Sequence, residues 1–439
     1  MDKLKSKFFE KSLNLNAEIK SILKEHGSDK VDEVSLKQIF GGMRGVKSML
    51  WETSLLDADE GIRFRGYSIP ELKKILPSAP GCSEPLPEGL FWLMLVGEIP
   101  TQQEVNWLSD EWELRGKVPQ HTYDIIDALP INAHPMTQFC VAISSMQTES
   151  VFAKRYAAGL SKEDYWGPTY EDTMNLIAKL PHVAAYIHRR MYHDSVHLKA
   201  DLSLDWAGNF AHMLGVENKD FKSLMRLYMT VHADHEGGNA SAHTAHLVNS
   251  TLSDPYLAFT ASMTSLAGPL HGLANQEVIK FIFDMIDELG SQKLKDKEIK
   301  TYIHKTLNDG KVIPGYGHAV LRKPDPRFIA FKDFAENYIQ DSNIVKIVWQ
   351  LFDLVPPILQ GLGKVRNPWP NIDAHSGSLL VHYGLDQYRF YTVLFGVSRA
   401  LGVLASMCWS RALGMPLERP KSVTMDWVRS VVKETAVKT

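Results

Sequence analysis

Phe221-Lys222-Ser223-Leu224-Met225-Arg226-Leu227-Tyr228-Met229-Thr230-Val231-His232 is the stretch that decides the fold class. Phe221, Leu224, Met225, Tyr228, Met229 and His232 fall at i, i+3, i+4, i+7, i+8 and i+11, which is one face of a helix. The same kind of signal recurs on both sides of it. Pro87 to Gly97 reads as a short buried helix opened by proline and closed by glycine. Thr101 with Glu104 is a capping box for a helix through Trp112. A helical stretch is expected near Tyr170–Leu180, after Ser161 and Asp164. Ser253-Asp254-Pro255 opens a helix to about Leu266, stopped by Gly268-Pro269. The next helix is expected from near His271 to Gly290, and another from Ile344 until Pro356-Pro357. Strand signals are confined to a small element between Val34 and Ser68, where glycines punctuate short apolar runs. An all-α protein with minor β near the N-terminus follows.

Composition narrows the class. The chain has 439 residues, 44% hydrophobic and 23% charged, which fits a large globular core. Lys+Arg 48 against Asp+Glu 51 gives a net charge of -3, without the basic excess of a nucleic-acid binder. Cys82, Cys140 and Cys408 are far apart and suggest a reducing compartment. Met1 to Lys20 has neither the apolar core of a secretory signal nor the Arg-rich, acid-free pattern of a transit peptide. The longest apolar run, Tyr391 to Trp409, carries Arg399 in its middle, so no membrane span is expected.

Five places carry candidate chemistry. His232, His235, His243 and His246 lie in one stretch, but the spacing is not H-E-x-x-H, and Gly237-Gly238 ends the helix. His235 then binds a ligand or caps a helix, while a His-rich metal site is the competing reading. His271, after the Gly268-Pro269 break, is placed at the start of the next helix. A neutral imidazole there can donate to a carbonyl gaining negative charge; a helix cap is the alternative. Val312-Ile313-Pro314-Gly315-Tyr316-Gly317-His318, with Arg322, Lys323 and Arg327, is a glycine turn with a basic flank, and no Gly-Lys-Ser/Thr follows to make it a P-loop. Asp373 lies between Pro370 and a helix expected near Ser378, where a desolvated carboxylate can act as base or an ordinary Asp can cap. Arg399 has no acid within a helical turn, so its partner is distant or an anionic ligand. Arg419, in Pro416-Leu417-Glu418-Arg419-Pro420, is a second clamp or a surface residue.

Taken in order, these segments resemble the citrate synthase family, of the dimeric kind found in mitochondria and some bacteria. The match runs from Gly41-Gly42-Met43-Arg44-Gly45 to Pro420. The resemblance implies a large dimer-forming domain of residues 1–272 and 385–439 and a small mobile domain of residues 273–384 on the CoA side of a cleft. It implies condensation of acetyl-CoA with oxaloacetate and hydrolysis of citryl-CoA to citrate and CoA, without a metal or other cofactor. Asp373 would be the base, His271 the donor to the enolate oxygen, and His318 the residue that polarises the ketone. Oxaloacetate would be held by His235, His318, Arg327 and Arg399, with Arg419 reaching across a homodimer. CoA would meet Arg44, Val312, Gly315, Gly317, Arg322, Lys364, Arg366 and Asn371. Near residue 162 the family often has an Arg for a CoA phosphate; here Lys162 stands beside Glu163 and Asp164. The rivals are 2-methylcitrate synthase, using propionyl-CoA, and a metal-dependent hydrolase built on the four histidines. Nucleic acid and membrane are not expected as partners. The expected compartment is a bacterial cytoplasm, or the mitochondrial matrix for a processed eukaryotic chain.

Overall fold

The computed structural model describes residues 2–318, 320–363, 365 and 367–438, with side chains to residue 433. Among these residues lie twenty α-helices and three short strands. The helix Lys219–Val231 buries Phe221, Leu224, Met225, Tyr228 and Met229 as the periodicity requires. Asn218 starts it, accepting the N–H groups of Asp220 and Phe221 at 2.7 and 3.2 Å. It packs on Tyr391–Ala412, on Trp206–Leu214 and on Pro87–Val96.

Tyr391–Ala412 is the axis of the molecule, touching the helices Trp166–Tyr192, Pro255–Leu266 and Ala240–Ser250 as well. It is long and apolar enough to cross a membrane, but 94% of its apolar window is buried inside the protein, which makes it a core helix. Each fully buried Leu or Val along it contributes about 1.5–3 kcal/mol of transfer free energy. Gly396 and Gly402 let neighbours close in. A Cβ at Gly396 would lie 2.8 Å from Met263 Sδ, and one at Gly402 would lie 2.4 Å from Asp234 Cβ.

A second group of helices, Ala274–Leu289, Asp296–Asn308, Pro326–Tyr338, Asn343–Gly361 and Asp373–His382, packs mainly on itself. It meets the first group where Pro326–Tyr338 touches Lys219–Val231 and where Ala274–Leu289 touches Tyr391–Ala412. The β element is a three-stranded antiparallel sheet in the order β1 (Ser54–Asp57), β2 (Gly61–Phe64), β3 (Tyr67–Ser68), with Ser54 opposite Phe64.

Several boundaries differ from the sequence expectation, and each difference has a cause. The helix Asn343–Gly361 runs through Pro356 and Pro357. Its buried face continues past them with Val355, Pro356 and Leu359, and that packing outweighs a proline cost of about 3 kcal/mol. Trp166–Tyr192 extends well beyond Tyr170–Leu180 and contains Pro181 for the same reason. The N-terminal helix Lys3–His26 has few apolar residues and gave no periodic signal. It is held by two fully buried side chains, Leu4 and Phe8, with Phe8 edge-on to Trp409 at 5.1 Å. The helix after Gly268-Pro269 begins at Ala274, leaving His271 in the turn before it. The helix expected near Ser378 begins at Asp373.

Candidate active site

His232 is the C-cap of Lys219–Val231, and the chain reverses through Glu236, at a left-handed φ of 55°, before Asn239 caps Ala240–Ser250. The reversal turns the His235 ring toward His318, with centroids 5.5 Å apart. His235 Nε2 is buried and has no hydrogen-bond partner. Burial, and then the nearby Arg327, hold this imidazole well below the usual histidine range, so it is neutral. His232 is fixed instead, its Nδ1–H donating to the Tyr228 carbonyl at 3.0 Å while its ring stacks on Tyr228.

Asn239 ties three candidate groups together. Its Nδ2 donates to the carbonyls of His235 (3.0 Å) and Glu236 (2.6 Å), and its Oδ1 accepts from Arg399 Nη1 at 3.2 Å. Arg399 is 1% exposed, stacks on Phe395 at 4.6 Å and donates from Nε to the His232 carbonyl at 3.1 Å. Among the described residues it forms no ion pair. Burial lowers its pKa to about 10, outweighing the attraction of the Asp234 and Asp373 charges, neither of which it ion-pairs among the described residues.

His271 meets Ser241 of the same helix start. Its Nε2 accepts the Ser241 backbone N–H at 3.2 Å and lies 2.9 Å from the Ser241 hydroxyl. A backbone N–H can only donate, so Nε2 carries the lone pair and Nδ1 carries the proton. Burial, aided by Arg399, lowers the pKa to about 4. His271 is therefore a neutral N–H donor. The helix that sets its tautomer is Ala240–Ser250, not the one that follows it in sequence.

The second wall of the site is a paired loop. Gly317 N–H donates to the Trp369 carbonyl (3.0 Å), Asn371 N–H to Gly315 (2.9 Å) and Asn371 Nδ2 to Gly317 (3.2 Å). Gly315 is required at a φ of 79°, and a Cβ there would sit 2.9 Å from Ala374 Cβ. Asn371 Oδ1 also accepts the Asp373 N–H at 3.0 Å, so one side chain sets the glycine turn and the start of the Asp373 helix together. His318 Nδ1 accepts the N–H groups of Val320 and Leu321 at 3.0 and 3.1 Å, which places the proton on Nε2. Burial, then Arg327, lowers its pKa to about 4.

Asp373 is pushed the other way, to about 6, by burial that outweighs the attraction of Arg327 and Arg399. Arg327 is 4% exposed and forks onto Asp325, with Nε at 3.0 Å from Oδ1 and Nη2 at 2.7 Å from Oδ2. One cluster thus gathers two neutral histidine donors, an orphaned histidine nitrogen, a poised carboxylate and two buried guanidinium groups. Such a set can bind a dicarboxylate, remove a carbon-bound proton and stabilise oxygen charge.

The expected residues not yet placed are exposed where they are described, and the Arg322 charge still reaches His318. Arg419 is exposed. Arg44 and Val312 are exposed, and Arg322 is anchored by its N–H to the Ala58 carbonyl at 2.8 Å. Lys364 and Arg366 lie outside the described residues. The four-histidine stretch divides, with His243 2.8 Å from Glu418 and His246 3.8 Å from it. Among the described residues no group of three or more His, Cys, Asp or Glu gathers as a metal site. Asn239, Ser241 and Asp325 escaped the sequence reading. Asn239 and Asp325 each precede a helix, and a helix-cap signature was the available signal.

Residues 42–421 match the family described as "Citrate synthase, C-terminal domain". The chain belongs to the citrate synthase family. It is 56% identical over 418 residues to a mitochondrial citrate synthase of Daucus carota, covering 95% of this chain and 88% of that one. It is 54% identical to mitochondrial citrate synthase 4 of Arabidopsis thaliana over the same shares, and 53% identical to a mitochondrial citrate synthase of Kajikia audax over 94% and 88%. The fold superposes on citrate synthase from Pyrobaculum aerophilum with a TM-score of 0.75 at 26% identity, over 88% of this chain and 92% of that chain. It also superposes on the Thermoplasma acidophilum citrate synthase, solved as a ternary complex with carboxymethyl coenzyme A and oxaloacetate. That TM-score is 0.74 at 22% identity, over 90% and 96% of the two chains. The expected all-α citrate synthase fold is therefore met.

Proposed function

We propose that this chain condenses acetyl-CoA with oxaloacetate and hydrolyses the resulting citryl-CoA to citrate and CoA. The observation that carries the reading is the opposition of proton states within one cluster of side chains. Asp373 has a carboxyl raised to about 6, while His271 and His318 are neutral donors with pKa values of about 4. A thioester methyl is a weak carbon acid, so the base must act together with stabilisation of the enolate oxygen. Asp373 takes the methyl proton and His271 Nδ1–H donates to the thioester oxygen. The new carbon nucleophile attacks the ketone of oxaloacetate, whose oxygen receives His318 Nε2–H. Water then cleaves the thioester in the same cleft.

Oxaloacetate is dianionic and is held by Arg399, Arg327, His235 and His318. The fork of Arg327 on Asp325 leaves its Nη1 outside that pair. CoA runs past Val312, the backbone of Gly315 and Gly317, Arg322 and Asn371, with Arg44, Lys364 and Arg366 toward its phosphates. Residues 273–384 form the small domain that closes on the pair, excluding water until the carbon–carbon bond forms. Arg419, exposed in the single chain, completes the partner's site in a homodimer. The compartment is the mitochondrial matrix, by likeness to the mitochondrial relatives; the cytoplasmic expectation finds no support among them. Release of free CoA thiol, followed with a thiol-reactive dye, tests the reading. Fast oxaloacetate-dependent release from acetyl-CoA supports it, a preference for propionyl-CoA moves the substrate to the longer acyl group, and no release with either refutes it.

A further inference from the structure

We propose that Asp234 is a positioning residue: its carboxylate, locked by side chains around strand β1, sets the orientation of His235 toward oxaloacetate. The inference rests on the citrate synthase reading of the cleft and adds a residue to it.

Asp234 is fully buried and accepts hydrogen bonds on both oxygens. Oδ2 takes the indole N–H of Trp51 at 3.1 Å and the hydroxyls of Thr53 and Ser54 at 2.5 and 2.8 Å. Oδ1 takes the backbone N–H of His235 at 2.9 Å. Four donors converge on this one side chain, so a group that offers acceptors on both atoms suits the site and an amide does not. Ser54 is used twice, because its oxygen also accepts the Glu236 N–H at 2.9 Å. Glu236 in turn accepts the Leu56 N–H at 3.1 Å. The two residues flanking His235 are thus both pinned to the Trp51–Leu56 segment, while His235 keeps a buried, unpartnered Nε2 and its ring lies beside His318.

The other side of Asp234 presses on the helix that carries Arg399. Gly402 N–H donates to the Ala233 carbonyl at 3.1 Å, and a Cβ at Gly402 would overlap Asp234 at 2.4 Å. Gly402 is one helical turn from Arg399, so the same contact sets the distance between the arginine and the His235 loop. Oxaloacetate needs both groups in register, and a misplacement of about 1 Å in a positioned group can cost about 100-fold. Glu236, a like charge, and Arg399, an opposite one, are the other charged groups that face Asp234, and Arg399 forms no ion pair with it among the described residues.

The test uses the full chain and steady-state CoA release with varied oxaloacetate. Asp234→Asn leaves an N–H₂ group facing one or more donors. It is expected to raise KM for oxaloacetate by about tenfold or more, the lower range for one charge-assisted hydrogen bond. kcat at saturating oxaloacetate and KM for acetyl-CoA are expected to change by less than about threefold. Thr53→Val, which removes a single donor and preserves volume, is expected to shift KM for oxaloacetate in the same direction by less. Thr53→Ser is expected to restore it. Thr53→Val also keeps the test open if Asp234→Asn does not fold. A purely structural role would lower Tm and leave KM for oxaloacetate unchanged in the folded enzyme, and that result overturns the proposal. Wild-type protein without oxaloacetate-dependent release would overturn the parent reading first, before any variant is compared.

Discussion

Replacing Asp373 by Asn removes the charge while keeping the volume, and it should do two opposite things. The carboxyl is raised from its ordinary 3.8 to about 6, with burial as the largest cause. At about 1.4 kcal/mol per pH decade, this means the ionised group costs the fold up to about 3 kcal/mol at pH 8. The folded state binds the proton more tightly than the unfolded state. The cost is therefore absent below 3.8, grows between 3.8 and about 6, and is complete above. The variant should be the more stable protein at pH 8, and its advantage should shrink by about half at pH 5. Turnover should fall by about 10²–10⁴-fold, the usual contribution of a positioned base. The wild-type acid limb of kcat/KM near pH 6 should vanish from the residual activity. Thiol release over pH 5–9 and thermal unfolding at pH 5 and 8 measure both effects. Turnover within tenfold of wild type, or a variant less stable at pH 8, would refute the reasoning, because the carboxylate would then be paired rather than poised.

Four further outcomes follow from the same geometry. Arg399→Met should raise KM for oxaloacetate by at least about tenfold without lowering Tm, since a buried cation without an ion pair is costly to the fold; Arg399→Lys should not restore KM, because an ammonium lacks the planar fork. His271→Ala should lower kcat by about 10²–10³-fold while oxaloacetate binding measured by calorimetry without acyl-CoA stays unchanged. His188, His271, His318 and His375 are each held at about 4 in the fold against an ordinary 6.5. The unfolded chain then takes up their protons first as pH falls, so these groups should pull Tm down between pH 6.5 and 4, against the smaller opposite gain from the raised carboxyls of Asp373, Asp172 and Glu88, and contribute nothing above 6.5; a Tm that rises as pH falls through that window would contradict the burial argument. Dialysis against a chelator should leave turnover intact, whereas a loss restored by zinc would favour the hydrolase reading of His232, His235, His243 and His246.

Local signals in the sequence were reliable where the physics is local. The capping box of Thr101 and Glu104, the Asp254-Pro255 start and the Pro87–Gly97 punctuation all stand as read. They succeed because a cap or a proline acts within one turn. The signals failed where tertiary packing overrides the chain. Pro356 and Pro357 look like a stop but sit inside a helix whose apolar face is already buried on both sides of them. The helix Lys3–His26 depends on Leu4 and Phe8 finding a distant core, which no periodicity records. In the site, the residue types were legible but their proton positions were not. The tautomer of His271 is set by Ser241, 30 residues away, and that of His318 by the turn it makes on itself. The counter-charge missing around Arg399 could be suspected from its apolar neighbours. Its actual partners, the His232 carbonyl and Asn239, come from another helix end.

The most direct measurement is quantitation of citrate against released CoA, with oxaloacetate and acetyl-CoA, for the wild type and for Asp373→Asn in parallel. The account predicts one citrate per CoA with the wild type and a collapse of both products together in the variant. CoA released without citrate, or citrate formed undiminished by the variant, would contradict it.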